Sequence, residues 1–454
     1  MTLRSGLAGH PAERTSIVCK DPAAPTDSAR QRVQPSTLSP AVRHDSAVGP
    51  MFSRPVAPQA HRPQCYTPPA MSHLLGLECP ECGKLLPADQ IQTVCLECES
   101  PLFARYDLRQ VARGITPDAL ARRPSGLWRW AELLPVHDAR YQLSLGEGDT
   151  PLLPAPRLAT WLGLERLFIK EEGANPTGSF KARGMAVALS RAAELGIRQV
   201  VVPTAGNAGG ALAAYAARAG MQAHVVLPAD AHPAYRAEAE RAGAQVHCVD
   251  GLIDRAGQEA ARLASELGTF NLATLREPFR LEGKKTMGFE LAEAFGWDLP
   301  EVIVYPTGGG TGLVGLAKAF DELEGLGWIG ARRPRLVSVQ ADGCAPVVRA
   351  IEAGADRIEA WSGASTRAEG LRVPRPYADR AVLRAVRQSG GTAVAVGEQA
   401  LVEGARAAAT LEGCLMCLEG GAAVAGLRLL VENGTVRAEE RVVVFNTATG
   451  LKGL

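Results

Sequence analysis

The sequence has 454 residues, a formal net charge of +1, 46% hydrophobic residues and 21% charged residues. This length is sufficient for two or three domains with a large buried core. The near-neutral charge gives no electrostatic basis for binding nucleic acid or an anionic membrane surface. The sequence contains no run of about 18 or more apolar residues, so we expect no membrane-spanning helix. We therefore expect neither nucleic acid nor a membrane among the partners.

The first 70 residues differ in composition from the rest of the chain. They are rich in Pro, Ser, Arg and Ala and show no sustained period of 2 or 3.6 residues. Such a segment buries too little apolar surface to offset the entropy of ordering its backbone. We expect residues 1–70 to be either disordered or an extension upstream of a true start at Met71, with an organelle transit peptide as a further alternative.

Two C-x-x-C pairs, Cys79/Cys82 and Cys95/Cys98, are separated by 12 residues. Four thiolates at this spacing can form a closed tetrahedral zinc site, which leaves no position for a reacting water and so stabilises the fold without catalysing a reaction. We predict a zinc ribbon over residues 74–106, the alternative being four free buried cysteines. Paired cysteines of this kind favour metal binding over a disulfide framework, and hence a reducing, cytoplasmic location.

From residue 140 onward, β-branched apolar runs alternate with helical stretches of small and apolar residues. The predicted strands are 198–205, 222–230, 244–250, 301–310, 335–342 and 441–450. The predicted helices are 206–220, 231–243, 252–268 and one that begins at 311. This alternation predicts a doubly wound α/β fold with parallel sheets. Ligands bind at the carboxyl ends of such strands, where the loops TAGNAGG, TGGGTG and NTATG are expected to meet.

The glycine-rich segment PTGGGTGLVG, residues 306–315, connects a predicted strand to a predicted helix. Backbone N–H groups at a helix start, with no Cβ atoms in the way, bind phosphate well. The segment also matches G-x-G-x-x-G at Gly310, Gly312 and Gly315, and Asp342 ends the next strand, as in dinucleotide-binding folds. That motif usually opens its domain, whereas this loop follows several strands. We therefore favour another phosphorylated ligand and keep a nicotinamide-dependent oxidoreductase and a ligand-free turn as alternatives.

The segment NPTGSFKARG, residues 175–184, places Lys181 at the start of a predicted helix. The helix dipole disfavours an ammonium at this end. The position therefore favours the neutral amine, which is the nucleophilic form of lysine. The alternative is an ordinary solvated lysine at the surface.

Four motifs in this order, NPTGSFKARG, PTAGNAGG, TGGGTG and NTATGLK, resemble those of fold type II pyridoxal-phosphate enzymes, and the chain is more narrowly similar to the threonine synthases. The likeness spans about residues 74–453 and includes SLGEGDTPLLP at 143–153 and REPFRLEGKKT at 276–286. It implies pyridoxal phosphate, bound between two doubly wound parallel-sheet subdomains of a catalytic body over 107–454, the smaller subdomain being inserted at about 175–300. It also implies an amino-acid substrate and a homodimer.

The resemblance assigns roles to residues of these motifs. Lys181 would hold the cofactor covalently and then move protons at the substrate Cα. Asn207 would donate to the phenolic oxygen of the cofactor, although Asn is also a common helix N-cap. Thr447 would face the pyridine nitrogen, where a hydroxyl does not stabilise a protonated ring, unless it is only a turn residue. Glu419 would lie near the ring. The cofactor phosphate would be held by Gly308, Gly309, Gly310, Thr311 and Gly312.

A threonine synthase acts on O-phospho-L-homoserine, so a carboxylate and a phosphate must be bound. Thr204 and the backbone of the TAGNA loop are the candidates for the carboxylate, and Ser179 is a further substrate-binding candidate. Arg280, Lys284 and Lys285 are the candidates for the phosphate, because a guanidinium can bind phosphate in a bidentate manner. Ordinary surface charge is the alternative for the two lysines.

The chain departs from the family pattern at three positions near these motifs. Ala182 replaces the acid that commonly follows the lysine, and Ala205 and Ala208 replace hydroxyl-bearing residues of the substrate loop. Fewer donors near the substrate keep other reactions of the same scaffold open, namely threonine or serine dehydratase, diaminopropionate ammonia-lyase and cysteate synthase. A zinc-ribbon scaffold with an inactive body is the non-enzymatic alternative, which intact Lys181, Asn207 and Thr447 argue against.

Overall fold

The structure, a computed structural model, describes residues 71–453, so the predictions for residues 1–70 lie outside the described part of the chain. Among the described residues, no helix is long and apolar enough to cross a membrane. The elements fall into a small antiparallel sheet, followed by two separate mainly parallel sheets with helices on both faces.

The segment predicted as a zinc ribbon forms the antiparallel sheet, in the order β2-β1-β3. Its strands are β1 (Leu74–Glu78), β2 (Leu85–Leu86) and β3 (Phe103–Tyr106). The two cysteine loops have the same backbone geometry, because the N–H of Cys79 donates to the carbonyl of Lys84 and that of Cys95 to the carbonyl of Ser100, both at 2.9 Å. Matching loops direct the two pairs of thiols toward one point.

The larger sheet has six strands in the order β12-β11-β10-β13-β5-β4. They are β4 (Leu152–Pro154), β5 (Arg166–Glu171), β10 (Val302–Pro306), β11 (Arg335–Ala341), β12 (Ala393–Val396) and β13 (Arg441–Asn446). All pairs are parallel except β4 with β5, which is antiparallel at the edge. The central strands are continuous apolar runs, as expected for a sheet covered on both faces.

The second sheet has four parallel strands in the order β8-β7-β6-β9. They are β6 (Gln199–Pro203), β7 (Gln222–Pro228), β8 (Gln245–Val249) and β9 (Phe270–Asn271). The sheet is therefore built within the range 199–271, between β5 and β10 of the larger sheet.

Thirteen α-helices connect and cover the sheets in the described part of the chain. They are α1 (Leu108–Gly114), α2 (Pro117–Ala121), α3 (Pro156–Leu162), α4 (Lys181–Glu194), α5 (Ala208–Ala219), α6 (Pro233–Arg241), α7 (Ile253–Leu267), α8 (Phe279–Ala294), α9 (Thr311–Gly325), α10 (Pro346–Glu352), α11 (Asp379–Gln388), α12 (Glu398–Glu412) and α13 (Leu418–Glu432). Short 3-10 helices cover Leu127–Leu133, Ala139–Tyr141, Glu172–Ala174, Glu369–Leu371 and Gly450–Gly453. The α8 helix packs against both α4 and α9 and is buried almost all round.

Each strand and helix predicted from the alternating pattern is present, and the α/β fold class with parallel sheets is confirmed. The strands end earlier than predicted where the unusual loops begin. For example, β10 ends at Pro306 rather than at 310, and β13 ends at Asn446 rather than at 450. These loop residues leave the sheet, so their backbone groups are free for other partners.

Arg183 in the first turn of α4 is fully buried and joins two glutamates. Its guanidinium lies 2.6 Å from Glu172 and also pairs with Glu290, which lies 2.6 Å from the ammonium of Lys170. The hydroxyl of Thr286 accepts from the same guanidinium at 3.0 Å. The network therefore ties β5, α4 and α8 together behind the start of α4.

We predict that Arg183→Met lowers the free energy of unfolding by about 3–5 kcal/mol, because buried Glu172 loses its cationic partner and buried Glu290 loses one of its two. The pKa of Glu290 is lowered to about 2 by Arg183 and Lys170. The stabilisation is therefore complete above the unfolded value of about 4.3 and fades as the pH falls toward 2. Denaturant unfolding should show a deficit that shrinks on acidification.

Arg428→Met is the matched control, because it breaks an exposed ion pair with Glu432 and should change the unfolding free energy by about 1 kcal/mol or less. Equal losses in the two variants would contradict the role of the buried network.

Candidate active site

A cavity of about 1500 Å³ is lined by the loops that follow β6, β10 and β13. Lining residues come from both parallel sheets, and Lys181 at the start of α4 lies among them. The three unusual loops of the sequence therefore meet in one place, as the carboxyl ends of parallel strands allow.

Lys181 is half-buried in the wall of this cavity. Its ammonium nitrogen lies 3.7 Å from the centre of the Phe180 ring. Burial, followed by the charge of Arg280, lowers the pKa of Lys181 to about 7, and the nearby carboxylate of Glu419 opposes the shift. The expected trend toward the neutral amine is present, but its first cause is burial and not the helix start.

The glycine loop, residues 308–312, presents its backbone to the cavity. A Cβ at Gly308 would overlap a neighbouring carbonyl oxygen, and one at Gly310, where φ is +79°, would overlap the side chain of Val382. The loop ends where α9 begins at Thr311. Free N–H groups at the start of a 15-residue helix, with no side chains in the way, suit a bound anion.

Tyr305 near the end of β10 also lines the cavity, although the sequence analysis did not identify it. Its hydroxyl is buried and has no hydrogen-bond partner among the described residues. A Cβ at Gly312 would overlap this hydroxyl, and burial raises the pKa of Tyr305 so that it stays protonated. A neutral donor without a partner therefore lies directly against the glycine loop.

Asn207 and Thr204 line the cavity from the loop after β6. Asn207 occupies the N-cap position of α5, but its side chain makes no capping hydrogen bond. Its Oδ1 instead accepts from the ammonium of Lys452 at 3.0 Å. The hydroxyl of Thr204 accepts from a backbone N–H of its own loop at 3.0 Å. Ala205 and Ala208 also face the cavity.

Thr447 is brought beside Lys181 by backbone pairing. The N–H of Phe180 donates to the carbonyl of Thr447 at 3.0 Å, and the N–H of Thr449 donates to the carbonyl of Gly178 at 2.9 Å. The segment after β13 thus runs antiparallel to the loop that leads into Lys181. Thr447 and Lys181 both line the cavity as a result.

Arg280 and Lys284 face the cavity from successive turns of α8. The guanidinium of Arg280 is buried, and its Nε has no partner among the described residues. Lys284 donates to the carbonyl of Arg280 at 3.2 Å, and burial is the first cause that lowers the pKa of each. Glu277 is a nearby acid, and burial raises its pKa. Glu369 and Glu419 also line the cavity. Arg280 therefore brings a buried guanidinium to the wall, and Lys284 brings further N–H donors, both of which can bind an anion.

Lys285 does not line the cavity. Its ammonium lies 2.6 Å from Glu282 and 2.8 Å from Glu322, and 4.0 Å from the centre of the Tyr106 ring. The expectation that Lys285 binds the substrate is therefore corrected. Successive helical residues project about 100° apart, so Lys284 takes the cavity side and Lys285 the buried side.

Ser179 and Ala182 flank Lys181 but do not line the cavity. Ser179 is fully buried, and its backbone forms an antiparallel bridge with Ala448. Ala182 is fully buried within α4. The absence of an acid at position 182 therefore affects core packing and not the cavity wall. By contrast, Ala205 and Ala208 in the loop after β6 line the cavity, where a ligand would contact them.

The four cysteines of the ribbon form one cluster, with all sulfur atoms within 4.8 Å of one another. The sulfur atoms of Cys79 and Cys98 are 3.3 Å apart, and those of Cys82 and Cys95 are 3.7 Å apart. Tetrahedral zinc with bonds of about 2.3 Å places its sulfurs about 3.8 Å apart. The donor set therefore fits such an ion.

The ribbon also forms part of the cavity wall, through residues 98–101 among others. Tyr377 donates its hydroxyl to the carbonyl of Glu99, and Glu81 pairs with Arg380 at 3.1 Å. The ribbon is thus joined to the body at the mouth of the cavity.

Three observations fit pyridoxal phosphate to this cavity. Lys181 offers an amine with a pKa near 7, and residues 308–312 offer an anion cradle at a helix start. The Tyr305 hydroxyl and the Arg280 Nε are buried polar groups without partners among the described residues. Such groups are rare unless a ligand or water satisfies them.

The pyridoxal-phosphate dependent enzyme family matches residues 143–448 of the chain. A threonine synthase of Methanocaldococcus jannaschii is 37% identical over 375 residues, which cover 82% of this chain and 92% of the relative. A threonine synthase of Synechocystis sp. is 35% identical over 345 residues, which cover 75% of this chain and 87% of the relative.

A solved structure, that of maize serine racemase, covers 66% of this chain and 88% of its own, with a TM-score of 0.58 at 22% identity. This likeness shows the fold alone. The family match spans the cavity loops, and the relatives match nearly their whole length. The chain therefore belongs to the pyridoxal-phosphate dependent enzymes and, within them, to the threonine synthase family.

Proposed function

We propose that this protein converts O-phospho-L-homoserine and water into L-threonine and phosphate, with pyridoxal phosphate as its cofactor. The observation that carries the proposal is a single cavity that combines the Lys181 amine, an anion cradle at residues 308–312 and two further basic side chains, Arg280 and Lys284. Cofactor and substrate each bring a phosphate, and the cradle and the basic side chains offer donors for two such groups. The threonine synthases among the relatives support the choice of substrate.

Bound pyridoxal phosphate supplies an electron sink for bonds at the substrate Cα. The neutral amine of Lys181 would hold the cofactor covalently, and it is the group placed to accept and return protons at the substrate carbons. Residues 308–312 would hold the cofactor phosphate, with Asn207 on the phenolic side of the ring and Thr447 on the pyridine side. Glu419, which accepts from a backbone N–H at 2.8 Å, would border the ring.

In the overall reaction the Cγ–O bond to phosphate breaks and Cγ gains a proton to become the methyl group, while Cβ loses a proton and takes the hydroxyl of water. Arg280 is assigned to this phosphate because its buried guanidinium carries a positive charge and an unpaired Nε–H, while Nη1 already donates to the carbonyl of Leu272. Lys284 adds further N–H donors one helical turn away. Thr204 and the backbone of its loop hold the carboxylate, with Ala205 and Ala208 giving the substrate more space than hydroxyl-bearing residues would.

A dehydratase acting on serine or threonine is the second candidate, because the loss of hydroxyls at Ala205 and Ala208 weakens carboxylate and phosphate recognition. Such substrates bring no phosphate, so Arg280 and Lys284 would lack an anion to bind. The nicotinamide alternative is withdrawn, since a pyridoxal-phosphate family spans the glycine loop. In addition, Gly315 packs against the backbone of α8 and does not line the cavity.

We also propose that the cluster of Cys79, Cys82, Cys95 and Cys98 holds a structural zinc ion. The sulfur–sulfur distances support a tetrahedral site. With all four positions filled by thiolates, the ion has no place for substrate and acts by holding the ribbon at the cavity mouth. The cytoplasmic location, inferred from the paired cysteines, and the homodimer, implied by the resemblance, stay predictions.

The substrate assignment predicts release of inorganic phosphate and L-threonine in a 1:1 ratio when the purified holoenzyme is given O-phospho-L-homoserine. L-Serine and L-threonine, offered separately, should yield no ammonia or 2-oxo acid at a comparable rate. Coupled phosphate and amino-acid assays measure both. Ammonia from threonine without phosphate from phosphohomoserine would establish the dehydratase instead.

The lowered pKa of Lys181 predicts how fast apoenzyme takes up pyridoxal phosphate covalently at different pH values. Only the neutral amine reacts, so the rate should rise with pH up to about 7 and then level off. A lysine with the ordinary pKa of about 10.4 would keep accelerating well above neutrality. The reaction is followed by the appearance of the visible absorbance band. Lys181→Ala is the control, because borohydride should attach no cofactor to this variant.

The zinc proposal predicts one zinc ion per chain in the purified protein, and loss of most of it in Cys82→Ser. This variant should unfold at a lower denaturant concentration because the ribbon loses its cross-link. Cys344→Ala is the control, since this buried cysteine lies outside the cluster. Metal analysis that finds no zinc in the wild type, or equal zinc in the two variants, would contradict the assignment.

A further inference from the structure

Lys452, in the 3-10 helix after β13, reaches three segments that are far apart in the sequence. Its ammonium donates to the carbonyl of Thr177 at 2.8 Å and to Oδ1 of Asn207 at 3.0 Å. It also forms an ion pair with Glu238 of α6 at 2.8 Å. One cation therefore joins the loop before Lys181, the loop after β6 and a helix of the four-stranded sheet.

The surrounding backbone leaves room for this cluster. At Gly178, with φ at +64°, a Cβ would lie 3.2 Å from Cε of Lys452 and 2.9 Å from Thr449. At Gly210, a Cβ would overlap the carboxylate of Glu238. Two glycines on different elements thus clear space for the lysine and for its acidic partner, which is unexpected for an incidental surface ion pair.

The chemistry of the ammonium fixes the orientation of the Asn207 amide. An ammonium has three donors and no acceptor, so it must face the oxygen of the amide and not the nitrogen. The amide nitrogen, which has two donors, is then on the opposite side of the group. Asn207 lines the cavity and makes no capping bond, so these donors are available to a ligand.

We propose that Lys452 is a positioning residue for the cofactor: it holds the Asn207 amide with its nitrogen toward the cofactor ring, while the pairing with Glu238 keeps α6 against the same loops. The inference rests on the proposed function, in that it assigns Asn207 to the phenolic side of the cofactor. Without Lys452, the amide can rotate and offer its oxygen, which cannot donate to the phenolic oxygen.

The test compares Lys452→Met, Asn207→Ala and the double variant with the wild type. Each single change should weaken pyridoxal phosphate binding about tenfold, the loss expected for one hydrogen bond to a charged group. Each should also shift the visible absorbance band and its pH dependence. The double variant should bind no more weakly than Asn207→Ala alone, because both changes remove the same interaction. Equilibrium dialysis gives the dissociation constants without any activity assay.

Two further variants separate positioning from general stability. Glu238→Gln breaks the ion pair but leaves the hydrogen bond to Asn207, so the absorbance band should stay as in the wild type. Arg428→Met is the matched control, because it removes an exposed cation that pairs with Glu432 and should change neither binding nor spectrum. If Lys452→Met lacks a folded state, Lys452→Arg, which retains donors, should fold and keep the wild-type band.

The outcomes distinguish the two proposals. If Asn207→Ala weakens cofactor binding but Lys452→Met leaves the dissociation constant and the band unchanged, the positioning role is wrong and the proposed function stands. Multiplicative losses in the double variant, about a hundredfold together, would also overturn it. If Asn207→Ala itself has no effect on cofactor binding, Asn207 does not contact the cofactor, and the positioning role of Lys452 is wrong with it.

Discussion

The site depends on burying a lysine amine beside other cations. Water would keep Lys181 protonated, and a protonated amine cannot attach the cofactor. Burial and the nearby guanidinium of Arg280 bring its pKa to about 7, so a large fraction of the amine is neutral at physiological pH. The guanidinium of Arg280, which helps to lower this pKa, is also placed to bind an anionic ligand. The same arrangement therefore activates the lysine and favours phosphorylated molecules.

The rest of the fold positions Lys181, the glycine loop and the basic side chains of α8 relative to one another. Two parallel sheets supply loops at their carboxyl ends, and the central helix α8 supplies Arg280 and Lys284 from its buried length. Behind them, the charges of Arg183, Glu172 and Glu290 fix the start of α4. The ribbon contributes residues 98–101 to the cavity wall. Because these elements come from distant parts of the chain, small shifts between them would change the distance between amine, cradle and cations.

The α/β fold and the meeting of its loops could be predicted from the sequence, because strand–helix alternation is a local pattern and loops at the carboxyl ends of parallel strands lie at one edge of a sheet. Lys181, the glycine loop and Thr447 are among the site residues that could be predicted in this way. Lys284 and Lys285 could not be ranked, since α8 is apolar and charged on all sides and offers no period to tell its faces apart. Tyr305 looks like any other residue of a buried strand, and the contact of Lys452 with Asn207 joins positions 245 apart. Such features require the packed fold, which a single sequence does not show.

A crystal structure of the protein grown with pyridoxal phosphate would show directly whether Lys181 and the glycine loop bind the cofactor. We expect continuous electron density from the Nζ of Lys181 to the cofactor, with the phosphate on the backbone of residues 308–312 and the side chain of Asn207 at the phenolic oxygen. Cofactor phosphate bound outside that loop, or density that does not reach Lys181, would contradict this assignment.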